Sequence, residues 1–402
     1  MSARPLADLK VLDLAWVVAG PAIGRVLADY GATVVRVESS TRVEIARVMG
    51  PFPRGEIDPQ RSALYDNCNS GKLGVAVDLS REEGRQIVRD LTCWSDVLIE
   101  SFVPGQLERW GLGPDDLRAI NPGLVGLSTS LMGRTGPYAS LAGFGNIGAA
   151  MAGFQGLVGC AGSQPIGPFG PYTDYVGPRF GLVALLAALD HRRRTGEGCW
   201  LDVSQAEAGI QFLAAEVAAA AGSDRRLALA GNRDPRYAPN GVFRCKDEDE
   251  WIALTARDDE AWSALAGMIG GQALDPAFAT LDGRRAEEDR LEAIIEDWAM
   301  GHSAHDLEAR LQGAGVPAHV AARSEDLVAD PHLVDRGHWV RLPHPLGGES
   351  VVESSRYRLS ETPAAYVRPA PHWGRDAHEV LVGILGYDEA RLKALDAAGV
   401  LR

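Results

Sequence analysis

LKVLDLAWVVAGPAIGRVLADYGATVVRVE, residues 9–38, is the stretch on which the fold turns. Residues 9–15 form an apolar run interrupted only by polar Lys10 and Asp13, which reads as a buried strand. A helix is expected over about 21–31, and TVVRVE at 33–38 reads as a second strand. Strand, helix and strand in so short a span form a crossover unit, which makes the two strands parallel. The turn AWVVAGPAIG lacks the G-x-G-x-x-G spacing that lets backbone approach a dinucleotide pyrophosphate. A Rossmann-like sheet without that cofactor site is the reading.

The alternation continues outward. A helix is expected at 80–93, with Ser80 and Glu83 in capping-box spacing, followed by a strand in DVLIES at 96–101. Helical turns over 104–121 and a strand in LVGLSTS at 124–130 come next. Apolar strands separated by helices predict a parallel sheet covered on both faces. Gly- and Ala-rich helices are expected at 141–156 and 177–194, the second closed by Gly196 with arginines in its last turn. CWLDVS at 199–204 reads as a strand and 205–221 as a helix.

Residues 222–240 turn polar and rich in Arg, Asn and Pro, which suggests a linker. Strands in GVFRC, EWIALTA and GVPAHVA, with helices near 258–269, 285–299 and 303–314, describe a second unit. The expected organisation is a large α/β domain over 1–222, a smaller α/β domain over 223–330, and a segment 331–402 completing the first. That last segment is loop-rich, with short helices at 375–384 and 388–397.

Composition narrows the function. A net charge of -14 works against nucleic acid or anionic membrane as a broad partner, although local arginines could still bind an anionic cofactor. The five cysteines show no C-x-x-C spacing and read as reduced thiols, with no metal site expected. Neither a signal-peptide pattern nor an apolar run long enough to cross a bilayer is present, so a cytoplasmic location is expected. P-loop and G-x-S-x-G patterns are absent. All nine histidines lie at or after His191, which removes imidazole chemistry from the first half. Carboxylates remain. Asp174, in GPFGPYTDYVGPRF at 168–181, sits on a glycine-flanked turn just before an apolar helix. From spacing alone it is either a helix cap or an exposed acid whose charge the helix N-terminus favours.

A resemblance decides between them. DYVGPRFGLVALLAALDHRRRTGEGCWLDV, residues 174–203, resembles the signature of the class III CoA-transferases, the formyl-CoA, carnitine and benzylsuccinate transferase group. In that family an aspartate precedes an apolar helix ending in [HE]-R-x-x-T-G-x-G. Further similar stretches run along the chain, among them VLDLAWVVAGP (11–21), NSGKLGVAVDL (69–79), DVLIESFVPGQLERWGL (96–112) and GRTGPYASLAGFGN (133–146). GNRDP and GPFGPYTDY look most like the benzylsuccinate-type branch.

The resemblance implies a Rossmann-like large domain, a small domain and an interlocked dimer, with a heteromeric assembly as the alternative. It implies Asp174 as covalent nucleophile and a CoA thioester as substrate, with no tightly bound cofactor. It places Val18, Ala19, Asn69, Lys72, Ser101, Phe102 and Arg109 along the CoA path. Lys72 and Arg109 could equally be ordinary salt-bridging residues. Ser39 stands where some members have arginine, and Ser101 where many have asparagine. Gly145 stands where many carry an assisting acid. Succinyl-CoA is the usual donor in that branch, with an aromatic or branched dicarboxylate as acceptor, and Arg134 and Arg179 are candidates for its distal carboxylate. The rival chemistry on the same fold is α-methylacyl-CoA racemisation, whose histidine position is Phe144 here.

Overall fold

The structure is a computed structural model that describes residues 4–222 and 229–402. Six strands form one all-parallel sheet: β1 (Lys10–Asp13), β2 (Thr33–Glu38), β3 (Leu73–Ala76), β4 (Val97–Glu100), β5 (Val125–Ser130) and β6 (Cys199–Ser204). Their order is β3-β2-β1-β4-β5-β6, so chain direction across the sheet reverses between β1 and β4. Ligands of doubly wound sheets bind at that reversal, outside the strand C-termini.

Side-chain alternation explains the two-sided burial. Val11, Val97 and Ile99 enter one core with Ile23, Leu127 and Leu185. Leu12 and Leu98 enter the other, with Val35, Ile87 and Leu91. Successive strand residues point to opposite faces, so both faces must be covered by helices. The C-terminal segment covers part of the second face, where Val380, Leu381, Tyr387 and Val400 join the core of Leu12.

Charged residues are also buried beneath the C-terminal edge. Asp13, Arg36 and Lys72 are wholly inaccessible and Glu44 nearly so. Lys72 Nζ donates to Asp13 Oδ2 at 2.6 Å, to the Pro21 carbonyl at 2.8 Å and to Asn69 Oδ1 at 2.8 Å. Arg36 pairs with both Asp13 and Glu44 and donates to the Ala15 carbonyl at 2.8 Å. Nearby, Arg47 grips both oxygens of Glu38, at 2.7 and 2.6 Å, and stacks on Tyr65 at 3.6 Å. Its donation to the Pro371 carbonyl ties down the C-terminal segment.

By contacts, residues 4–154, 167–222 and 331–402 form one compact unit and residues 155–166 and 229–330 another. The second unit has an antiparallel sheet of β7 (Asn240–Arg244), β8 (Trp251–Thr255) and β9 (Ala318–Val320), ordered β7-β8-β9. Helices bury Trp262, Phe278, Leu291, Ile295 and Leu307 against it. It also takes residues 155–166, which the sequence reading left in the large domain. Part of the expected linker, 223–228, lies outside the described residues.

Further details differ from the sequence reading. Ser80 does not cap the following helix, Glu82–Trp94; its hydroxyl and N–H both bond Asp78 Oδ1, which makes a turn instead. An antiparallel hairpin, β10 (Trp339–Pro343) with β11 (Glu349–Glu353), occupies part of the stretch read as loop. The helix carrying Asp174 starts earlier than expected, at Tyr172.

Removing one partner from the buried network should be costly, because the others remain desolvated. Lys72→Met is expected to lose about 3–5 kcal/mol, read from urea unfolding. Combined with Asp13→Asn, the loss should be less than the sum of the single losses by more than about 1 kcal/mol.

Candidate active site

A cavity of about 620 Å³ runs along the C-terminal edge of the parallel sheet. Its walls follow the strand order: Asp78 and Ser80 beyond β3, Ser39 and Arg42 beyond β2, Trp16–Ala19 beyond β1. Ser101–Val103 beyond β4, Thr129–Leu131 at the end of β5 and Gln205 beyond β6 complete them. Five inter-strand steps of about 4.8 Å give the cleft a span of roughly 24 Å. Asp174 lies at the β5–β6 end, with Gly143 and Phe144.

The middle of the cleft sits at the reversal between β1 and β4. Val17 has φ 67, an outlier for a β-branched residue. Its N–H donates to Glu44 Oε1 at 2.8 Å, and Glu44 is itself held by buried Arg36. The neighbouring Trp16 N–H donates to Ser101 Oγ at 2.8 Å, joining the loops after β1 and β4. Val18 and Ala19 then open the helix Ala19–Asp29, whose first N–H groups lack intrahelical partners. Phe102 packs edge-on between Trp16 and Trp110, with centroids 6.0 and 5.4 Å away. The guanidinium of Arg42 lies 5.8 Å from the Trp16 ring.

Four residues singled out by the resemblance, Val18, Ala19, Ser101 and Phe102, line this cavity, as does Ser39. Three do not. Asn69 and Lys72 are fully buried and spend their polar atoms on Asp13, Pro21 and the Tyr65 carbonyl. Burial pushes the Lys72 ammonium down to about 8. Arg109 is exposed and bonds Gln106 on its own helical turn. Arg134 is turned to Glu100 and Glu108. Neither Arg134 nor Arg179 lines the cavity. Arg42 was not singled out from sequence: it is a lone arginine in a polar stretch, and only folding puts it beside Trp16.

Asp174 is in the first turn of the helix Tyr172–Thr195 and is 6% exposed. Burial pushes its carboxyl up to about 6, against the lowering effect of one backbone donor. That donor is the Gly145 N–H, 3.3 Å from Oδ2. The helix-end dipole expected to favour the charged form is thus outweighed by desolvation. No ion pair to Asp174 occurs among the described residues. Pro178 has no N–H, so it leaves the Asp174 carbonyl without its usual donor one turn ahead.

Gly145 is a requirement of close approach. A Cβ there would lie 2.5 Å from the Pro171 carbonyl oxygen and 2.7 Å from the Asp174 nitrogen. Gly148, one turn on, would put a Cβ 2.3 Å from Thr173 Oγ1, whose hydroxyl donates to the Gly145 carbonyl. The helix Gly145–Met151 therefore presses directly on the Asp174 turn. No side chain fits at 145 without moving that turn.

Two outcomes follow. Gly145→Ala should displace the Asp174 turn, costing about 1–3 kcal/mol of stability and lowering kcat by roughly a hundredfold, more than it raises KM. Because folded Asp174 binds its proton more tightly than unfolded Asp174, ionisation costs stability as pH rises through about 6. Asp174→Asn should therefore stabilise the protein by roughly 1–3 kcal/mol at about pH 8 and hardly at about pH 4, measured by urea unfolding.

Comparison with known proteins agrees with this architecture. The profile of CoA-transferase family III matches residues 6–377. The chain is 31% identical over 401 residues to the succinyl-CoA–D-citramalate CoA-transferase of Chloroflexus aurantiacus, covering 99% of this chain and 98% of that protein. It is also 31% identical over 404 residues to the beta subunit of the succinyl-CoA–L-malate CoA-transferase of that organism, covering 99% and 98%. The crystal structure of a CaiB/BaiF family protein from Brucella suis superposes with a TM-score of 0.86 at 30% identity, covering 94% of this chain and 99% of that one. The sheet, the cleft and these likenesses together establish that the chain belongs to CoA-transferase family III and moves CoA from an acyl-CoA to a carboxylic acid.

Proposed function

We propose that Asp174 carries this reaction as a covalent nucleophile. The observation behind the reading is a buried carboxylate without a cation partner at one end of a long cleft. Such a group is costly to keep, and its perturbed titration marks a functional position. At neutral pH a carboxyl titrating at about 6 is mostly ionised, yet more basic and more nucleophilic than an ordinary aspartate.

Asp174 attacks the donor thioester carbonyl, forming a mixed anhydride and releasing CoA thiolate. The thiolate attacks the aspartyl carbonyl, giving an aspartyl-CoA thioester and the donor acid, which leaves with one aspartyl oxygen. An acceptor carboxylate attacks that thioester, forming a second anhydride and releasing the thiolate. Attack on the acceptor carbonyl then yields the new acyl-CoA and returns Asp174 with an oxygen from the acceptor. When the aspartyl carbon becomes tetrahedral, the negative charge falls on its own oxygen, toward which the Gly145 N–H already points.

The CoA arm lies along Val18, Ala19, Ser101 and Phe102, with its anionic end toward Ser39 and Arg42. Arg42 then supplies the charge that Ser39 lacks. Succinyl-CoA as donor follows from the names of the similar Chloroflexus enzymes. A cytoplasmic homodimer is the working assembly. A heteromer has support in one of those relatives being a subunit, but retention of Asp174 favours a chain active by itself. Racemisation lacks its base, since no histidine lines the cleft among the described residues.

Incubation with succinyl-CoA and hydroxylamine should place a hydroxamate on the Asp174 peptide, detected by mass spectrometry, and none on Asp174→Asn. An unmodified peptide beside active turnover would remove Asp174 from the role. The rate should rise with pH through an apparent pKa of about 6, as the nucleophile loses its proton.

A further inference from the structure

Three polar atoms at the Asp174 end of the cleft have no partner in the protein: Thr129 Oγ1, Ser130 Oγ and Gln205 Oε1. Thr129 is 1% exposed and Gln205 7%, and all three residues line the cavity together with Asp174. A buried polar atom left unpaired costs about 1–3 kcal/mol, so Thr129 Oγ1 and Gln205 Oε1, both on the sheet face covered by the Asp174 helix, call for a ligand that pairs with them.

The chain brings them together by register. Thr129 pairs with Val203 across β5 and β6, and Gln205, two residues beyond Val203, opens the helix Gln205–Ile210, whereas Ser130, paired with Ser204, points to the opposite face. Gln205 Cγ lies 3.1 Å from where a Cβ on Gly177 would stand. Gly177 is nearly one helical turn beyond Asp174, so the amide packs on the helix face that carries the carboxylate. A larger residue at 177 would push that amide away.

The chemistry of the two groups selects what they read. The Gln205 amide has an acceptor and a donor, and the Thr129 hydroxyl is both. A carboxylate or a thioester carbonyl only accepts, and would leave the amide oxygen unsatisfied. A hydroxyl on the acyl chain donates and accepts at once. Exchanging the amide nitrogen and oxygen changes nothing, because the pair is needed either way. We propose that Thr129 and Gln205 form a hydroxyl-reading subsite beside Asp174, so that the preferred acid is a hydroxycarboxylic acid. This rests on the reading of Asp174 as nucleophile, and Gln205 acts in it as a specificity residue.

The test compares kcat/KM for matched acceptors with succinyl-CoA as donor: malate against isotopically labelled succinate, and β-hydroxybutyrate against butyrate. The hydroxy acid should be preferred by at least about tenfold in one pair. Gln205→Leu and the near-isosteric Thr129→Val should each bring that ratio down toward unity. Ratios near one in the wild type, or an unchanged ratio in both variants, would overturn the subsite. Hydroxylamine trapping on Asp174 needs no acceptor and is run on the same preparations. Trapping without a hydroxyl preference rejects the subsite alone, whereas absent trapping beside turnover rejects the nucleophile on which it rests. Trapping in the variants also shows that they have folded.

Discussion

Asp13 is the constraint on which the site depends. Its carboxylate, buried at the C-terminal end of β1, holds Lys72 at 2.6 Å and Arg36 at 3.4 Å and accepts the Ala15 N–H at 3.0 Å. Lys72 reaches on to the Pro21 carbonyl, and Arg36 to Ala15 and Glu44. Through Glu44 the network fixes Val17 in its left-handed conformation. The loop entering the first helix is therefore held from below by charge. Burying charges is expensive, and such groups are retained when they specify one geometry. Here that geometry is the wall of the cleft at the sheet's reversal point.

A second constraint is steric. Gly145 and Gly148 let one helix lie directly on the Asp174 turn, while Gly177 and Gly181 let Gln205 and Ile23 pack close to the Asp174 helix. The carboxylate is thereby desolvated without being neutralised. That combination suits the proposed nucleophile: a carboxylate titrating at about 6, ionised near neutral pH, with the Gly145 N–H directed at one of its oxygens. On the proposed route, this desolvated end of the cleft also shields anhydride and thioester intermediates from hydrolysis.

Much of the sheet was legible because buried parallel strands are nearly uniform apolar runs. TVVRVE and CWLDVS correspond residue for residue to β2 and β6. β3 was missed as a strand because LGVA is short and rich in small residues. The hairpin after Trp339 was missed because its alternation is broken by Pro343 and glycines. Of the site, Asp174 was legible through its family signature, not through its spacing. Lys72 and Asn69 were read as ligand contacts, since a sequence does not show which polar residues are sealed beneath a loop. Arg42 and the pair of Thr129 and Gln205 became visible only once strand register and helix packing had assembled them.

The central claim is that an oxygen atom passes through Asp174 on every turnover. It is tested most directly by turnover with an acceptor acid carrying heavy oxygen in its carboxylate, followed by mass spectrometry of the Asp174 peptide. A covalent aspartyl route predicts one heavy oxygen in that residue after a single cycle and two after many, with none in the Asp174→Asn protein. Active transfer that leaves the peptide unlabelled would contradict it, because CoA would then have moved without the aspartate exchanging an atom.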